Sequence, residues 1–468
     1  MHPEPWQMSA VEIAQAVASG DYTATEVIES HLQRIEKINP LVNAVTQVLG
    51  DTARRAARDI DVRKDAGERL GPLAGVPFSV KESIEVAGSP TTFGIRPLKD
   101  AISSVDAPIV RRLRNAGAIP IARTNLPDLS MRFHTTSQLY GETRNPWSAA
   151  CSPGGSSGGE GVALATGMSP LGLGSDAGGS VRIPALFGGV TALKPTLGRL
   201  PSDRSLGPRD LTLASQLIPV EGILARTVAD LECAFAIMAG PDSSDPRVVP
   251  APLQGPSLNP NIRVAVVPDP GNEGVHPEVR RAVEHAADIL QRAGYEPEIT
   301  DVPRLSDAIE AYGKLIMTEF YQAWPMLQRL LAPDARRYIE FSMADCQPAD
   351  LSEYLRFTSV YQGVRRDWCQ FLERYPLILA PVFTEVAVPP AYDIAGPAEH
   401  KQVGKAMRMC AASSFVGVPA VAVPVGFHEG LPLGVQLIGQ FYREDTCIAA
   451  AAIIESSMGE FRPIDPRL

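Results

Sequence analysis

The chain has 468 residues, of which 45% are hydrophobic and 21% are charged, and its formal net charge is −10. These values are typical of a soluble globular protein with one large domain or several ordinary ones. The sequence contains no lysine- or arginine-rich run of the kind that indicates a surface for nucleic acid or for an anionic membrane. Six scattered cysteines without a CxxC spacing argue against a disulfide framework and against a zinc site.

The first residues, MHPEPWQMSAVEIAQ, lack the basic and apolar regions of a secretory signal. The longest apolar runs are interrupted by Gly, Pro or a charged residue well before the roughly 20 residues that a membrane span requires. We therefore expect a cytoplasmic protein that neither enters a membrane nor binds nucleic acid.

The N-terminal elements are predicted from their capping residues. The capping boxes SAVE and TATE begin helices at Ser9 and Thr23, which are expected to end near Gly20 and before Pro40. Hydrophobic periodicity then predicts further elements as far as the middle of the chain. These are helices over 51–69 and 106–117 and strands over 73–80, 119–122 and 171–174.

A segment rich in proline, serine and aspartate, 240–261, predicts a surface linker. Beyond it, 305–375 is predicted to be mostly helical and is rich in aromatic residues. Strand-like segments on both sides of the linker indicate one sheet shared by both halves, and their alternation with helices indicates an α/β fold. The elements predicted after the linker are strands over 262–267, 377–382, 420–425 and 433–438 and helices over 277–294 and 445–458.

Two glycine-rich serine clusters stand out in 151–196, CSPGGSSGGEGVALATGMSPLGLGSDAGGSVRIPALFGGVTALKPT. Glycine disfavours regular elements, so packing alone seldom explains so many glycines around serines. Ser180 lies at a predicted strand-to-helix turn, where consecutive backbone N–H groups can converge on the oxyanion of a nucleophilic hydrolase. A Gly-Gly-Ser turn by itself is nevertheless more often only a turn. The N–H groups concerned belong to Ala177, Gly178, Gly179 and Ser180.

A serine nucleophile needs a base within hydrogen-bonding distance, and no motif connects a histidine to this cluster. Lys81 interrupts the core-like sequence at the end of the predicted strand over 73–80. Burial disfavours the ammonium form, so a neutral lysine can act as the base. A lysine that extends to solvent, or that forms an ion pair beside Glu82, explains the same residue without catalysis.

Several blocks in order resemble the amidase signature family of serine hydrolases. They include ARTNLPDLS, LYGETRNPW and ALKPTLGRL in addition to the segment 151–196. The resemblance covers most of the chain. It implies a single domain over 1–468 with a catalytic core at 60–200, built on a large mixed central β-sheet with helices on both faces.

Members of this family use a Ser–cis-Ser–Lys triad, which the resemblance places on three residues of this chain. Ser180 is then the nucleophile, Ser156 the bridging serine and Lys81 the base. The bridging serine passes the proton of Ser180 to Lys81, and the resemblance implies a cis peptide bond between Gly155 and Ser156. No cofactor and no metal are implied.

The resemblance also implies supporting residues around the triad. Asp176 and Arg182 are expected to order the oxyanion turn, and Ser157 is expected to support the bridging serine by a hydrogen bond. The chain departs from the family pattern at three positions, none of which removes a catalytic atom. They are Glu82, where Asp is usual, Ser175, where Thr is frequent, and Gly188, where Cys is common.

The predicted function is hydrolysis of the C–N bond of carboxylic amides through an acyl-enzyme. Met131, Phe133 and His134 lie in a segment that often shapes the acyl side of the family's pocket, which favours apolar or aryl amides. The helical segment 305–375 is expected on the substrate side. The expected partner is a small-molecule amide, and a homodimer is left open.

Other functions are compatible with parts of the sequence. Residues 155–159 formally fit GxSxG, but the α/β-hydrolase elbow must follow a buried strand, and NPWSAACSP is not one. Relatives that cleave esters or carbamates share the resemblance, as does the glutaminase subunit of a tRNA-dependent amidotransferase. Such glutaminases usually carry Gln after the Arg-Ile dipeptide, where this chain has Pro184.

Overall fold

The computed structural model describes residues 3–206, 209–257, 261–459 and 462–467. Strands and helices alternate along much of this part of the chain. The strands are β1 (Val45–Val48), β2 (Pro77–Lys81), β3 (Ile119–Thr124), β4 (Thr136–Ser137), β5 (Gly141–Glu142), β6 (Leu171–Asp176), β7 (Thr191–Lys194), β8 (Val220–Ala225), β9 (Arg263–Val266), β10 (Glu296–Ile299), β11 (Leu377–Pro381), β12 (Ala420–His428) and β13 (Leu431–Gly439).

The helices vary from single turns to long rods. Short 3-10 helices lie at Pro5–Gln7, Arg96–Leu98, Asp128–Ser130, Pro270–Asn272 and Tyr392–Ile394. The α-helices are α1 (Ala10–Ser19), α2 (Ala24–Val42), α3 (Gly50–Asp65), α4 (Pro108–Asn115), α5 (Gly158–Ala165), α6 (Arg182–Gly188), α7 (Leu213–Leu217), α8 (Val228–Met238), α9 (Pro277–Arg292), α10 (Leu305–Leu330), α11 (Pro333–Asp345), α12 (Leu351–Arg374), α13 (Pro397–Ala406), α14 (Arg408–Val416) and α15 (Glu444–Met458).

One mixed sheet connects the two halves of the chain. In the described part it has 11 strands, in the order β1-β3-β2-β6-β8-β7-β12-β13-β11-β9-β10. Strand β2 is parallel to β3 and β6, β9 is parallel to β10 and β11, and the other neighbours are antiparallel. The pairing of Lys194 with Ala420 joins β7 to β12 across the two halves. The predicted α/β class with a large mixed sheet is confirmed.

Helices cover both faces of this sheet. In β9 and the residue after it, Val264 and Val266 belong to one hydrophobic cluster, whereas Ala265 and Val267 belong to the other. This alternation follows from the period of two along a strand, which sends successive side chains to opposite faces. Helices α9 and α15 contribute to the first cluster, and α10, α12 and α14 contribute to the second.

Two predicted boundaries differ from the structure for local reasons. Helix α2 does not stop before Pro40 but continues to Val42, because a proline in the last turn removes only one helical hydrogen bond. The strand predicted over 73–80 begins only at Pro77. The residues before it form turns, in which Ala74 N donates to Gly71 O at 3.1 Å. Lys81 is thus the last residue of a short buried strand.

The described part of the predicted linker, 240–257, contains no helix and no strand, and its residues 258–260 lie outside the described residues. The segment 305–375 is helical, as predicted, and consists mainly of α10, α11 and α12. All six cysteines are free. None of the described helices combines the length and the hydrophobicity needed to cross a membrane.

Candidate active site

Lys81 lies at the end of β2 with its side chain fully buried. Its Nζ is 2.7 Å from Ser156 Oγ and 3.2 Å from Ser175 Oγ. Burial lowers the pKa of Lys81 to about 7, so much of the amine is neutral near neutral pH. Nearby carboxylates act in the opposite direction and keep the pKa of Lys81 from falling further. They belong to Glu221, Asp176 and Glu160.

Glu82, the neighbour of Lys81, does not pair with it. Its carboxylate accepts hydrogen bonds from Thr46 Oγ1 at 2.7 Å and from Thr92 Oγ1 at 3.0 Å. The ion pair considered as an alternative explanation of Lys81 is therefore not formed between these two described residues.

Ser156 is buried and follows a cis peptide bond, Gly155–Ser156. The polypeptide approaches a neighbouring segment closely at this point. A Cβ atom on Gly155 would lie 2.4 Å from the carbonyl oxygen of Phe133, so only glycine fits there. This close packing holds the Ser156 hydroxyl against the amine of Lys81.

Ser180 lies in the turn between β6 and α6, and its side chain is half-buried. Its carbonyl oxygen accepts a hydrogen bond from Ser157 N at 3.1 Å, which ties this turn to the segment that carries Ser156. Within the described ranges, no hydrogen bond joins the hydroxyls of Ser180 and Ser156. Both residues line the same cavity.

The turn before Ser180 presents free backbone donors. The N–H groups of Ala177, Gly178 and Ser180 donate to no atom in the described part of the chain. The N–H of Gly179 differs, because it donates to Asp176 Oδ1 at 2.8 Å. Helix α6 begins only at Arg182, so these donors belong to the turn and not to the helix.

Asp176 and Arg182 form a fully buried ion pair with an Oδ1–Nη2 distance of 3.0 Å. Burial by itself raises the pKa of Asp176, but Arg182 and the hydrogen bonds outweigh burial and bring that pKa down to about 2. Arg182 Nη1 also donates to Ser413 Oγ at 2.7 Å and to Gln436 Oε1 at 2.8 Å. The pair thus anchors the turn to α14 and β13.

Ser157 contacts the site through its backbone. Its buried Oγ has no hydrogen-bond partner among the described residues, and the N–H donates to Ser180 O. The hydrogen bond from Ser157 that was expected to support Ser156 is thus not formed by the hydroxyl.

A cavity of about 1740 Å³ opens beside these groups. Ser156, Ser175, Ser180 and Glu221 form part of a polar wall. An apolar part of the lining comes from the segment before Ser156 and from the helices of 305–375. Its residues include Leu129, Met131, Phe133, Ile309, Ile316, Met317, Phe320, Leu327 and Ile339.

The three residues predicted for the acyl pocket are placed differently. Met131 and Phe133 line the cavity, whereas His134 does not. The His134 imidazole lies 3.0 Å from Ser152 Oγ and 3.1 Å from Glu142 Oε1. Phe133 thus faces the cavity, whereas Ser152 and Glu142 hold the His134 ring outside its lining.

The family model of the amidases matches residues 26–448. The chain belongs to the amidase signature family. It is 38% identical over 457 residues to the indoleacetamide hydrolase of Bradyrhizobium diazoefficiens, a match that covers 97% of this chain and 87% of that protein. It is 32% identical over 491 residues to one subunit of the glutamyl-tRNA(Gln) amidotransferase of Salinispora arenicola, with 97% and 98% covered. The solved structure of a bacterial aryl acylamidase of this family is similar with a TM-score of 0.83 at 27% identity, and 97% of each chain is covered. The protein is therefore an amide-cleaving enzyme.

Tyr312 of α10 brings a hydroxyl to the turn that precedes Ser180 in this amidase. A Cβ atom on Gly178 would lie 2.5 Å from the Tyr312 oxygen. Burial raises the pKa of Tyr312 well above its usual value, so the hydroxyl keeps its proton and can donate it in a hydrogen bond. No atom of the described residues accepts that hydrogen bond. Sequence motifs do not single out Tyr312, because one tyrosine in an aromatic-rich helix is more often part of the core.

Two further carboxyl groups of the amidase site were also missed from the sequence. Glu160 is buried and accepts hydrogen bonds from Ser79 and Thr124, and burial raises its pKa to about 7. Glu221 lies in β8, within the otherwise apolar run VEGILA. A charged residue inside an apolar strand is the same signal that identified Lys81, and it could have identified Glu221.

Proposed function

We propose that this amidase hydrolyses carboxylic amides with apolar or aryl acyl groups, through an acyl-enzyme on Ser180 with Ser156 and Lys81 as the proton relay. The observation that carries the proposal is the 2.7 Å contact between Lys81 Nζ and Ser156 Oγ. A buried lysine with a pKa of about 7 is suited to accept a proton at neutral pH.

Acylation begins when Ser180 Oγ attacks the amide carbon. The hydroxyl proton of Ser180 moves to Ser156, and the proton of Ser156 moves to Lys81 Nζ. Substrate binding must bring the hydroxyls of Ser180 and Ser156 into hydrogen-bonding distance, as often happens when a substrate completes a site. The negative charge that develops on the carbonyl oxygen is stabilised by free N–H groups of the turn. We assign them to Ala177, Gly178 and Ser180, since Gly179 donates to Asp176.

Collapse of the tetrahedral intermediate releases ammonia or an amine. The leaving nitrogen takes the proton back from Lys81 through Ser156, which restores the neutral lysine. A water molecule then attacks the acyl-enzyme and loses its proton along the same relay. Lys81 is therefore the base in both half-reactions and the acid when each intermediate collapses.

The apolar wall of the cavity supports an apolar acyl group. Met131 and Phe133 lie on it together with side chains of α10 and α11. Burial of an aromatic ring against such a wall contributes about 2 kcal/mol to binding. The relatives named indoleacetamide hydrolase and aryl acylamidase also support an aromatic group on the substrate.

A substrate panel tests this proposal. The purified protein is assayed with indoleacetamide, phenylacetamide, acetamide, acetanilide, and the ethyl ester and the carbamate of matched size, with Ser180→Ala as the control. We expect the aromatic acyl amides to have the highest kcat/KM and the variant to lose turnover. Equal rates for acetamide and the aromatic amides contradict the substrate class, and full activity of Ser180→Ala contradicts the mechanism. Faster turnover of the ester or the carbamate than of every amide identifies an esterase or a carbamate hydrolase.

A second candidate function is that of the glutaminase component of a tRNA-dependent amidotransferase. The 32% identity to the amidotransferase subunit of Salinispora arenicola favours it. Pro184, where such glutaminases usually carry Gln, and the apolar cavity wall favour a free-standing amidase. Glutamine in the panel separates the two. Hydrolysis of glutamine in preference to aromatic amides, or an activity that depends on a partner protein, supports the glutaminase, whereas turnover of aromatic amides by the protein alone supports the amidase.

A further inference from the structure

Three neighbouring strands place a row of polar residues beneath the cavity. Strand β6 lies between β2 and β8. Lys81 ends β2, and Ser175 of β6 is paired directly with Glu221 of β8. Directly opposite residues of an antiparallel pair project from the same face of the sheet, with Cβ atoms about 5 Å apart. Because Ser175 Oγ faces Lys81 at 3.2 Å, the side chain of Glu221 projects to the same face.

Glu221 has a free carboxylate oxygen at this position. Its side chain is 7% exposed, and Oε1 accepts a hydrogen bond from Ser202 Oγ at 2.9 Å. Its Oε2 is buried and has no hydrogen-bond partner among the described residues. A buried carboxylate with an unpaired oxygen is costly unless a nearby positive charge compensates it.

The other carboxylates near Lys81 are already occupied. Asp176 is paired with Arg182, and Glu160 accepts hydrogen bonds from two hydroxyls. The charged groups that act on Glu221 are the guanidinium groups of Arg204 and Arg247 and the amine of Lys81. Arg247 is held by Asp245 at 2.9 Å. Of these three cations, Lys81 and Arg204 form no ion pair with another acidic residue in the described part of the chain.

We propose that Glu221, which is paired with Ser175 across the sheet, is a positioning residue that supplies the counter-charge for the ammonium form of Lys81. This inference rests on the proposed function. During acylation the O–H bond of Ser180 breaks, the bond from Ser180 Oγ to the acyl carbon forms, and the proton ends on Lys81 Nζ. A positive charge then appears in a buried place, where the carboxylate of Glu221 stabilises it.

The test is the pH dependence of kcat/KM in Glu221→Gln, with phenylacetamide as substrate and ammonia release as the readout. Activity rises as Lys81 loses its proton, so the acid limb of the profile reports the pKa of Lys81. The carboxylate of Glu221 raises that pKa, and its removal therefore moves the acid limb to lower pH, by about 1 pH unit. We also expect kcat to fall about tenfold on the plateau, because the ammonium loses its counter-charge.

Two further variants test whether the direction in which the acid limb moves follows the charge that is removed. Arg204→Gln removes a positive charge that lowers the pKa of Lys81, so its acid limb moves to higher pH. Glu85→Gln is the matched control. Glu85 is also a buried glutamate, but it accepts hydrogen bonds from Ser205 and Leu206 and does not act on Lys81. Its acid limb stays at the wild-type position.

The outcomes separate this inference from the proposed function. If Ser180→Ala is inactive and the acid limb of Glu221→Gln does not move, the inference about Glu221 is wrong while the proposed function stands. If Ser180→Ala stays active, the proposed function is wrong. Glu221→Ala, which also lacks the charge, is measured beside Glu221→Gln. Circular dichroism shows which of the two variants folds, and the acid limb of a folded variant decides whether Glu221 acts on Lys81.

Discussion

Asp176 Oδ1 accepts the backbone N–H of Gly179 at 2.8 Å. The same oxygen lies 3.0 Å from Arg182 Nη2, and Oδ2 accepts the N–H of Val181 at 3.2 Å. One buried carboxylate therefore fixes the turn from both ends, with Ser180 between the two contacts. The N–H groups that it leaves unused are those that remain available for substrate.

This arrangement predicts a large effect of Asp176→Asn. The amide leaves Arg182 buried without a negative partner, which costs about 3–5 kcal/mol in the free energy of unfolding. We also expect kcat to fall by at least tenfold, because the turn loses its anchor. Urea denaturation and steady-state kinetics measure the two effects. The control is Glu68→Gln, which breaks the exposed pair with Arg63 and should cost less than about 1 kcal/mol.

The pKa of Lys81 predicts the pH profile of the wild-type enzyme. Burial lowers this pKa to about 7, and only the neutral amine accepts a proton. Activity should therefore be low at pH 5, rise through a midpoint near pH 7 and reach a plateau above it, and Lys81→Ala should abolish it. Lys194→Met is the matched control, since Lys194 is equally buried and also has a pKa of about 7, but its Nζ contacts the carbonyl of Pro195. If the acid limb disappears in Lys194→Met and persists in Lys81→Ala, then Lys194 is the base and the assignment to Lys81 is wrong.

The contact between Tyr312 and Gly178 predicts non-additive effects of two substitutions. A Cβ atom at position 178 meets the Tyr312 oxygen at 2.5 Å, so Gly178→Ala must displace the turn or the tyrosine. We expect Gly178→Ala to lower kcat/KM by about 10²-fold, the size of the effect of losing one oxyanion donor. Tyr312→Phe removes the oxygen, so the double variant should regain part of that loss. Simple addition of the two effects in a double-mutant cycle would show that the contact does not determine the position of the turn.

The sequence predicted the fold class and the amidase family better than the contacts within the site. Alternating strand and helix patterns identified the α/β class, and Lys81 was recognised as a charge in an apolar strand. The placement of Ser156 came from family resemblance, because nothing local distinguishes it from Ser157. Glu221 gave a local signal, a charge in an apolar strand, but its pairing with Ser175 depends on strand register. Tyr312 was missed because helix packing brings it to the site from a distant part of the chain. Such contacts depend on tertiary structure and leave little trace in local patterns.

The cavity wall predicts how acyl preference changes in Met131→Ala. Met131 lines the cavity and packs against the hydrophobic cluster that contains Leu327, so its truncation removes apolar contacts from an aromatic acyl group. Loss of about 1–3 kcal/mol of transition-state binding should lower kcat/KM for indoleacetamide by about 10- to 150-fold, whereas acetamide, which does not reach this wall, should be affected much less. His134→Gln is the control, because His134 follows the same segment but faces Ser152 and Glu142, away from the cavity. Its ratio of kcat/KM values for the two amides should equal that of the wild type. A parallel loss on both amides in Met131→Ala would place the acyl group elsewhere in the cavity.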